Sequence, residues 1–392
     1  MHKDHLTLGM AGAGRATELH MSALRMFSGF PVRLKHIIAP RQAQVEAARK
    51  RWGFELASCR FGDLLADPEI DVIDICTPPY VHEEMIEAAL AAGKHVICEK
   101  PLTGYFGREG DPQPVGQCVS KVTMYRHLLE RLAHLRQVVE RSGKQFMYGE
   151  NFIYAPAIIK AAEIVRAKKS RILFAKGEES LKGSSSPVAG EWSKTGGGTF
   201  IRTGSHPLGA ILWLKRQEAL ARGTDIRVTA VQADMTRLTP SLTVHEHRHI
   251  AARPHDVEDI GTAILSFSDG SRAVVMANDT LLGGSRNYVE LYCNDAAIHC
   301  KLTMADMMET YFLDEEGLGD VEISEMLPSK TGWNKPFLLD EVMRGYANEM
   351  KDFMECALYG HCPKADFNVA YETTRIIYAA YMSAELGRRV DL

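Results

Sequence analysis

Two kinds of hydrophobic pattern divide the chain. In its first part, short continuous apolar runs alternate with stretches in which apolar residues recur every three to four positions. Continuous runs are typical of strands buried on both faces of a parallel sheet, and the longer spacing is typical of amphipathic helices. Strands that alternate with helices indicate right-handed βαβ units and a doubly wound α/β sheet. The pattern predicts strands at 6–10, 32–38, 70–76, 96–98 and 145–148, and helices after residue 14 and at 42–52, 83–92 and 123–142.

Beyond residue 150 the pattern changes. A helix at 155–168 and a strand at 171–176 come first, and strict alternation follows from about residue 227. Alternation predicts strands with one apolar face, and Ser268–Asp269–Gly270 between two of them predicts a hairpin turn. We therefore expect a mostly antiparallel sheet, followed by two amphipathic helices within 338–386. The further predicted strands are 228–235, 244–250, 262–267, 272–278, 288–293 and 297–302, and the helices are 338–358 and 368–386.

Composition narrows the class of protein. The 392 residues favour two domains, and 45% hydrophobic with 24% charged residues is an ordinary globular composition. A formal net charge of -4 gives no reason to expect nucleic acid or an anionic membrane as a partner. The chain has no apolar run of membrane-spanning length and no signal-peptide core near residue 1. Eight scattered cysteines without a CxxC pair favour reduced thiols and a cytoplasmic location.

A glycine turn follows the first strand. Strand, glycine turn and helix together form the context that a dinucleotide-binding fingerprint requires, although Thr17 occupies its third glycine position. Gly12 would make the tight turn, and Gly14 would let backbone N–H groups approach a pyrophosphate. The candidate pyrophosphate loop consists of Gly12, Ala13, Gly14, Arg15 and Ala16.

The end of the second strand bears on the choice of cofactor. NAD-binding domains usually carry an acid there for the ribose hydroxyls, whereas this chain has Ala39–Pro40–Arg41. Arg41 could pair with a 2′-phosphate, which tilts the NAD(P) prediction weakly toward NADP. An ordinary surface arginine is an equally good interpretation.

The apolar run 96–98 ends abruptly at Glu99, Lys100 and Pro101. Charged side chains are rarely buried without partners, so Glu99 and Lys100 should lie at the carboxyl end of this strand. In an open parallel sheet, that edge is where ligands bind.

Three blocks together resemble the glucose–fructose oxidoreductase / inositol dehydrogenase / MocA family. They are TPPYVH at 77–82, AAGKHVICEKPL at 91–102 and AYMSAELGRRV at 380–390. The resemblance implies an N-terminal Rossmann dinucleotide-binding domain at 1–150 and a C-terminal α+β domain for substrate and oligomerisation at 151–392. It also implies that Lys100 contacts the nicotinamide ribose and the reacting hydroxyl. By the same resemblance, the cofactor is lined by Thr77, Pro78, His82 and Glu99.

The block 196–206, GGGTFIRTGSH, resembles the second motif of that family. There a helix carries an aspartate and, four residues later, a histidine that exchanges the substrate proton. His206 matches the histidine, but Arg202 stands at the aspartate position and Gly209 at that of a further acid. An arginine cannot orient an imidazole as a carboxylate does, but it suits a carboxylate, sulfonate or phosphate. Either the substrate is anionic and held by Arg202, or the chemistry is altered.

Several features leave alternatives open. Tyr154 and Glu178 are weaker candidates for substrate contact. The glycine- and proline-rich segment 103–122, which departs from the family, could be a lid, a subunit contact or a solvated insertion. His245, His247 and His249 have the HxH spacing of zinc ligands on a strand, but no suitably spaced acid or cysteine accompanies them, so we expect no metal.

The sequence therefore predicts an NAD(P)-dependent oxidoreductase acting on a sugar, polyol or sugar acid. Lys100 would polarise the reacting oxygen and His206 would exchange the proton. The partners expected are a small sugar-like substrate and other copies of the chain, as a homodimer or homotetramer built through the C-terminal sheet. Two alternatives remain: a glycoside hydrolase of the same superfamily that uses bound NAD for transient oxidation, and a non-enzymatic dinucleotide sensor.

Overall fold

The computed structural model describes residues 5–26, 31–186, 188–303, 308, 310–318, 321, 329–334, 336 and 340–392. Two sheets dominate this part of the chain. Sheet A belongs to the first 150 residues, and sheet B belongs to the remainder.

Sheet A has six parallel strands in the order β3-β2-β1-β4-β5-β6. This order confirms the doubly wound α/β prediction and places the topological switch point between β1 and β4. The hydrophobic pattern did not predict the short strand β3 or the short helices at 62–66 and 115–118. The strands are β1 (Leu6–Ala11), β2 (Val32–Ile38), β3 (Leu56–Ser58), β4 (Val72–Ile75), β5 (His95–Glu99) and β6 (Phe146–Gly149). The helices are α1 (Arg15–Leu24), α2 (Gln42–Trp52), α3 (Gly62–Ala66), α4 (His82–Ala91), α5 (Val115–Cys118) and α6 (Lys121–Ser142).

Sheet B has seven strands in the order β12-β11-β7-β10-β9-β8-β15, and a small β13–β14 pair stands apart. All neighbours in sheet B are antiparallel except β7 and β10, so the mostly antiparallel prediction is confirmed. The strands are β7 (Ile172–Ser180), β8 (Val228–Thr236), β9 (Ile260–Phe267), β10 (Arg272–Asn278), β11 (Arg286–Cys293), β12 (Ala297–Lys301), β13 (Thr310–Phe312), β14 (Gly332–Asn334) and β15 (Val390–Asp391). The helices are α7 (Pro156–Lys168), α8 (Trp192–Thr195), α9 (Thr199–Arg202), α10 (Ser205–Arg222), α11 (Asp340–Met343), α12 (Tyr346–Tyr359) and α13 (Phe367–Leu386).

Helices α10 and α13 cover one face of sheet B. Gly177 of β7 lets α10 approach, because a Cβ on that glycine would lie 2.7 Å from Pro207 Cβ. The other face carries side chains that are partly open to solvent, including Ile264 at 44% and Met276 at 37% exposure. We call this the open face of sheet B.

Two predicted elements are wrong in detail. Residues 244–250 form turns rather than a strand, because Glu246 accepts hydrogen bonds from the backbone N–H and hydroxyl of Thr243. The helix predicted at 338–358 is interrupted at Gly345 (φ 99°), where a Cβ would lie 2.2 Å from Asn151 O. Residues 338 and 339 lie outside the described residues.

Parts of the segment 103–122 are packed against the second half of the chain. Tyr105 is buried, and its backbone N–H donates to Tyr378 Oη (2.5 Å) while its carbonyl accepts from Trp192 Nε1 (2.9 Å). Further along, Asp256 accepts from the N–H groups of Gly116 and Trp192. The segment therefore ties sheet A to α8, to α13 and to the loop that precedes β9.

A search of the described helices found none that is long and apolar enough to span a bilayer.

Candidate active site

The glycine turn between β1 and α1 has the geometry that a pyrophosphate loop requires. Gly12 has φ 118°, and a Cβ there would lie 2.4 Å from Cys76 O, so only glycine fits. Space lies open around the Cβ direction of Gly14, and no side chain caps the first turn of α1. The first-turn N–H groups of a helix attract anions such as a pyrophosphate. The segment from Gly12 to Ala16 thus fits a dinucleotide.

Arg41 lies at the start of α2, beside the end of β2. It is exposed, and its Nε donates to Gln44 Oε1 over 3.3 Å. This places a cation where a ribose 2′-substituent is expected in a doubly wound fold.

The TPPYVH block forms the turn that links β4 to α4. Thr77 is half-buried and Pro78 is exposed, so both can face a ligand. His82 is fully buried, and its ring nitrogens lie 2.9 Å from Pro101 O and from Thr77 O. Burial lowers the pKa of His82. The sequence placed His82 on the cofactor, whereas the structure places it inside, where it holds the two ligand-side turns together.

Lys100 lies directly beyond β5, at the edge that the sequence predicted. Its Nζ donates to the carbonyl of Arg202, the last residue of α9. A helix carboxyl end favours a cation, so this contact holds the ammonium between the two domains.

A buried chain of three side chains lies behind Lys100. His20 Nδ1 is 2.8 Å from Asp74 Oδ2, and His20 Nε2 is 3.1 Å from Glu99 Oε1. The other oxygen of Glu99 accepts the N–H of Lys100 over 2.9 Å. Burial opposes the charge on His20, but Asp74 outweighs it and raises the pKa of His20 well above its usual value. Glu99 therefore lies behind Lys100. It accepts the backbone N–H of Lys100 and is held in place by the protonated ring of His20.

His206 lies in the first turn of α10. Although Arg202 stands at the position of the expected aspartate, a carboxylate still orients the imidazole. Its Nδ1 is 2.7 Å from Glu150 Oε1, and its ring stacks on Phe152 with centroids 4.9 Å apart. Glu150 comes from the chain crossing after β6. Gly209 makes room for it, since a Cβ there would lie 2.9 Å from Glu150 Cγ. The acid missing from the helix is thus supplied from the domain junction.

A second carboxyl, Glu179 of β7, faces the other ring nitrogen. Its Oε2 lies 3.8 Å from His206 Nε2, and the residue is 5% exposed. Burial raises the pKa of Glu179, while His206 and Lys100 act in the opposite direction. We call Lys100, Glu150, Glu179 and His206 the junction site.

Arg202 does not take the place of the missing aspartate. Its guanidinium forms an ion pair with Asp279, which is nearly fully buried and also accepts from Thr199 Oγ1 over 3.1 Å. Burial raises the pKa of Asp279, opposed by Arg202. Because its charge is matched by Asp279, Arg202 does not present the free cation that an anionic substrate would need.

The two weaker candidates lie elsewhere. Tyr154 is fully buried, and its hydroxyl donates to Asp352 Oδ2 (2.9 Å) and accepts from the N–H of Ala365 (3.0 Å). Glu178 points to the open face of sheet B, where it pairs with Arg286 at 3.2 Å. Successive strand residues point to opposite faces, so the carboxyl of β7 that faces His206 is that of Glu179 rather than that of Glu178.

A model described as an oxidoreductase family with an NAD-binding Rossmann fold (GFO/IDH/MocA) matches residues 6–107, and the GFO/IDH/MocA C-terminal domain matches 166–299. Levoglucosan dehydrogenase of Pseudarthrobacter phenanthrenivorans is 41% identical over 106 residues, 25% of this chain and 27% of the relative. Myo-inositol 2-dehydrogenase of Thermotoga maritima is 31% identical over 98 residues, 25% of this chain and 29% of the relative.

These sequence matches span only about a quarter to a third of the relatives' length. Similarity to solved structures extends further. GenD2 from gentamicin A biosynthesis in complex with NAD superposes with a TM-score of 0.79 at 21% identity, covering 100% of this chain and 97% of that one. At 21% sequence identity, this structural similarity establishes the fold alone.

Proposed function

The chain belongs to the GFO/IDH/MocA family of oxidoreductases, and from that premise we propose that it is an NAD(P)-dependent dehydrogenase of sugars or polyols. The observation that carries the proposal is the junction site. There Lys100 from the first domain and His206 from the second approach the same carboxyl, Glu179, while His206 is held by Glu150. The activities for which the two relatives are named, levoglucosan and myo-inositol dehydrogenation, agree with it.

The dinucleotide would be held by the turn from Gly12 to Ala16, with Thr77 and Pro78 on its nicotinamide side. When bound, it supplies the hydride acceptor or donor. Arg41 supports a preference for NADP, because a cation rather than an acid follows β2.

The chain's own residues handle the substrate oxygen and its proton. Lys100 donates to the reacting oxygen and stabilises negative charge as the hydroxyl loses its proton. His206 Nε2 accepts that proton, because the Glu150 contact places the ring hydrogen on Nδ1. In the reverse direction, the same nitrogen returns the proton to the alkoxide.

We also propose that copies of the chain assemble through the open face of sheet B. The support is a patch in which Ile264 and Met276 remain exposed beside half-buried aromatic side chains such as Phe174. Exposed apolar side chains that gather on one face of a sheet favour an interaction site there.

The experiment is a binding and activity panel on the full chain. Each dinucleotide is combined with sugars and cyclitols, and thermal stabilisation and absorbance of reduced cofactor are recorded. We expect at least one polyhydroxylated alcohol to yield reduced cofactor in multiple turnovers, and Lys100→Met and His206→Asn to lose that activity while still binding dinucleotide. Cleavage of an activated glycoside with no net release of reduced cofactor would contradict the proposal and favour a hydrolase.

A further inference from the structure

The junction site holds more negative than positive charge. Glu150 and Glu179 both face His206, and Lys100, which forms no ion pair among the described residues, acts electrostatically on Glu179. Glu99, below Lys100, shares the positive charge of His20 with Asp74. The site therefore carries a carboxyl that the chain itself does not neutralise.

The nearby arginines do not correct this imbalance. Arg202 is paired with Asp279, and Arg344 is paired with Asp340 within one turn of chain. Both ion pairs are largely shielded from solvent. An anionic group placed beside His206 would meet two carboxyls, and the charge of each of these arginines is already balanced by an aspartate.

Glu179 is the carboxyl left over. Its Oε2 has no hydrogen-bond partner within the described residues, and the side chain is only 7% exposed. It extends from the covered face of β7 toward the first turn of α10, where the substrate oxygen must lie if His206 is to accept its proton. A buried carboxylate without a partner is unfavourable unless a ligand supplies a hydrogen-bond donor or an opposite charge.

We propose that Glu179 is a substrate-recognition residue and that the enzyme takes a sugar or cyclitol bearing a protonated amino group near the reacting hydroxyl. This rests on the proposed dehydrogenase function and names its substrate class. An ammonium donates charge-assisted hydrogen bonds to a carboxylate, whereas a neutral hydroxyl satisfies the oxygen but leaves its charge unmatched.

The pH dependence of binding follows from the groups around Glu179. They are His206 on α10, Lys100 beyond β5, Arg344 before α12 and Glu150 beyond β6. Burial raises the pKa of Glu179 in the free protein, so an ammonium ligand draws a proton off the carboxyl when it binds. Affinity for the amine should rise as pH increases through that pKa, and fall again once the amine itself loses its proton.

The test compares ligands that share one carbon skeleton and differ in the charge of a single substituent. Protein loaded with NADH, or with NADPH if that binds more tightly, is titrated calorimetrically with two matched sets. One set is glucosamine, glucose and glucuronate, and the other is scyllo-inosamine and scyllo-inositol. We expect the amine to bind about tenfold or more tightly than its hydroxyl counterpart in at least one set, and glucuronate to bind most weakly.

Two variants decide the role of the residue. Glu179→Gln should abolish the preference for the amine while dinucleotide affinity stays unchanged. Glu178→Gln, the adjacent carboxyl on the open face, should keep the preference. Equal or tighter binding of the neutral members by the unmodified protein would overturn the inference, as would an amine preference that survives in Glu179→Gln.

The inference and the proposed function fail in different ways. Neutral sugars that bind and are oxidised with no amine preference leave the dehydrogenase function intact and overturn the inference alone. If no polyhydroxylated ligand of any charge binds with either dinucleotide, the proposed function fails and the inference falls with it.

Discussion

Glu150 and His206 form a hydrogen bond of 2.7 Å between the chain crossing after β6 and the first turn of α10. The contact exists because residue 209, one turn further along α10, is glycine and leaves the volume that Glu150 occupies. An acid that the helix lacks is thus replaced by one from another part of the chain, and the imidazole keeps a carboxylate on Nδ1.

The first prediction tests this replacement. Glu150→Gln should lower kcat about 100-fold with a smaller effect on KM, because the neutral amide no longer stabilises the protonated ring during proton transfer. Gly209→Ala should act in the same direction, since its Cβ would displace Glu150. Steady-state kinetics on the alcohol identified by the panel provides the measurement.

Gly62→Ala is the matched control, because its new Cβ would meet no atom within 4 Å. It should leave kcat unchanged. Unaltered kcat in both Glu150→Gln and Gly209→Ala would show that the carboxylate does not serve His206.

The sequence predicted the parts of the site that depend on local pattern. Lys100 could be placed because a continuous apolar run ends beside it, and the carboxyl end of such a strand is a ligand edge. His206 could be placed because a glycine block leads into its helix. Both residues lie where those patterns put them.

Glu150 and Glu179 were missed because their roles depend on the tertiary fold. Glu150 reaches His206 only when the crossing after β6 packs on α10, and the sole sequence signal was a glycine at position 209 where an acid was expected. For Glu179 a local signal did exist. Ala175 and Gly177 are small and buried on either side of the exposed Lys176, so residue 179 shares their covered face and Glu178 does not.

The second prediction concerns Arg202. Arg202→Met should lower the free energy of unfolding by about 3–5 kcal/mol, because it leaves the buried carboxylate of Asp279 without its partner. The double variant Arg202→Met with Asp279→Asn should recover part of that loss. Urea denaturation of the three proteins measures both effects. A single variant as stable as the unmodified protein would mean that the ion pair contributes nothing.

The third prediction follows from the pKa of His20. A histidine whose pKa is raised in the folded protein contributes stability that is fully present below its unfolded value, about 6.5, and is lost as pH rises through the folded value. His20→Gln should therefore be most destabilised, relative to the unmodified protein, at or below about pH 6.5. The difference should shrink at higher pH, at a scale of about 1.4 kcal/mol for each unit of pKa shift.

Urea denaturation at a series of pH values from weakly acidic to alkaline measures this difference. His134→Gln is the control, because His134 is 46% exposed and pairs with Glu87 at the surface. A destabilisation by His20→Gln that stayed constant with pH would mean that the imidazole between Asp74 and Glu99 is not charged.

The fourth prediction concerns the choice of cofactor. Arg41→Ala should weaken NADPH binding about tenfold and leave NADH binding unchanged, because only NADPH carries the 2′-phosphate that the guanidinium would pair with. Fluorescence titration of each reduced dinucleotide measures the two affinities. Lys50→Ala removes an exposed cation from the same helix and should affect neither. Equal losses for both dinucleotides after Arg41→Ala would count against a role in distinguishing them.

The fifth prediction concerns assembly. Ile264→Lys should shift the protein from an oligomer to a monomer, because it places a charge in the middle of the open face of sheet B, opposite Val274 on β10. The free energy needed to bury an unpaired ammonium exceeds the free energy that the apolar contacts around residue 264 contribute to assembly. Light scattering after size exclusion gives the mass of each form. Leu220→Lys replaces a side chain that is 66% exposed at the far end of α10, and it should leave the mass unchanged. If Ile264→Lys also leaves the mass unchanged, the open face is not where the copies meet.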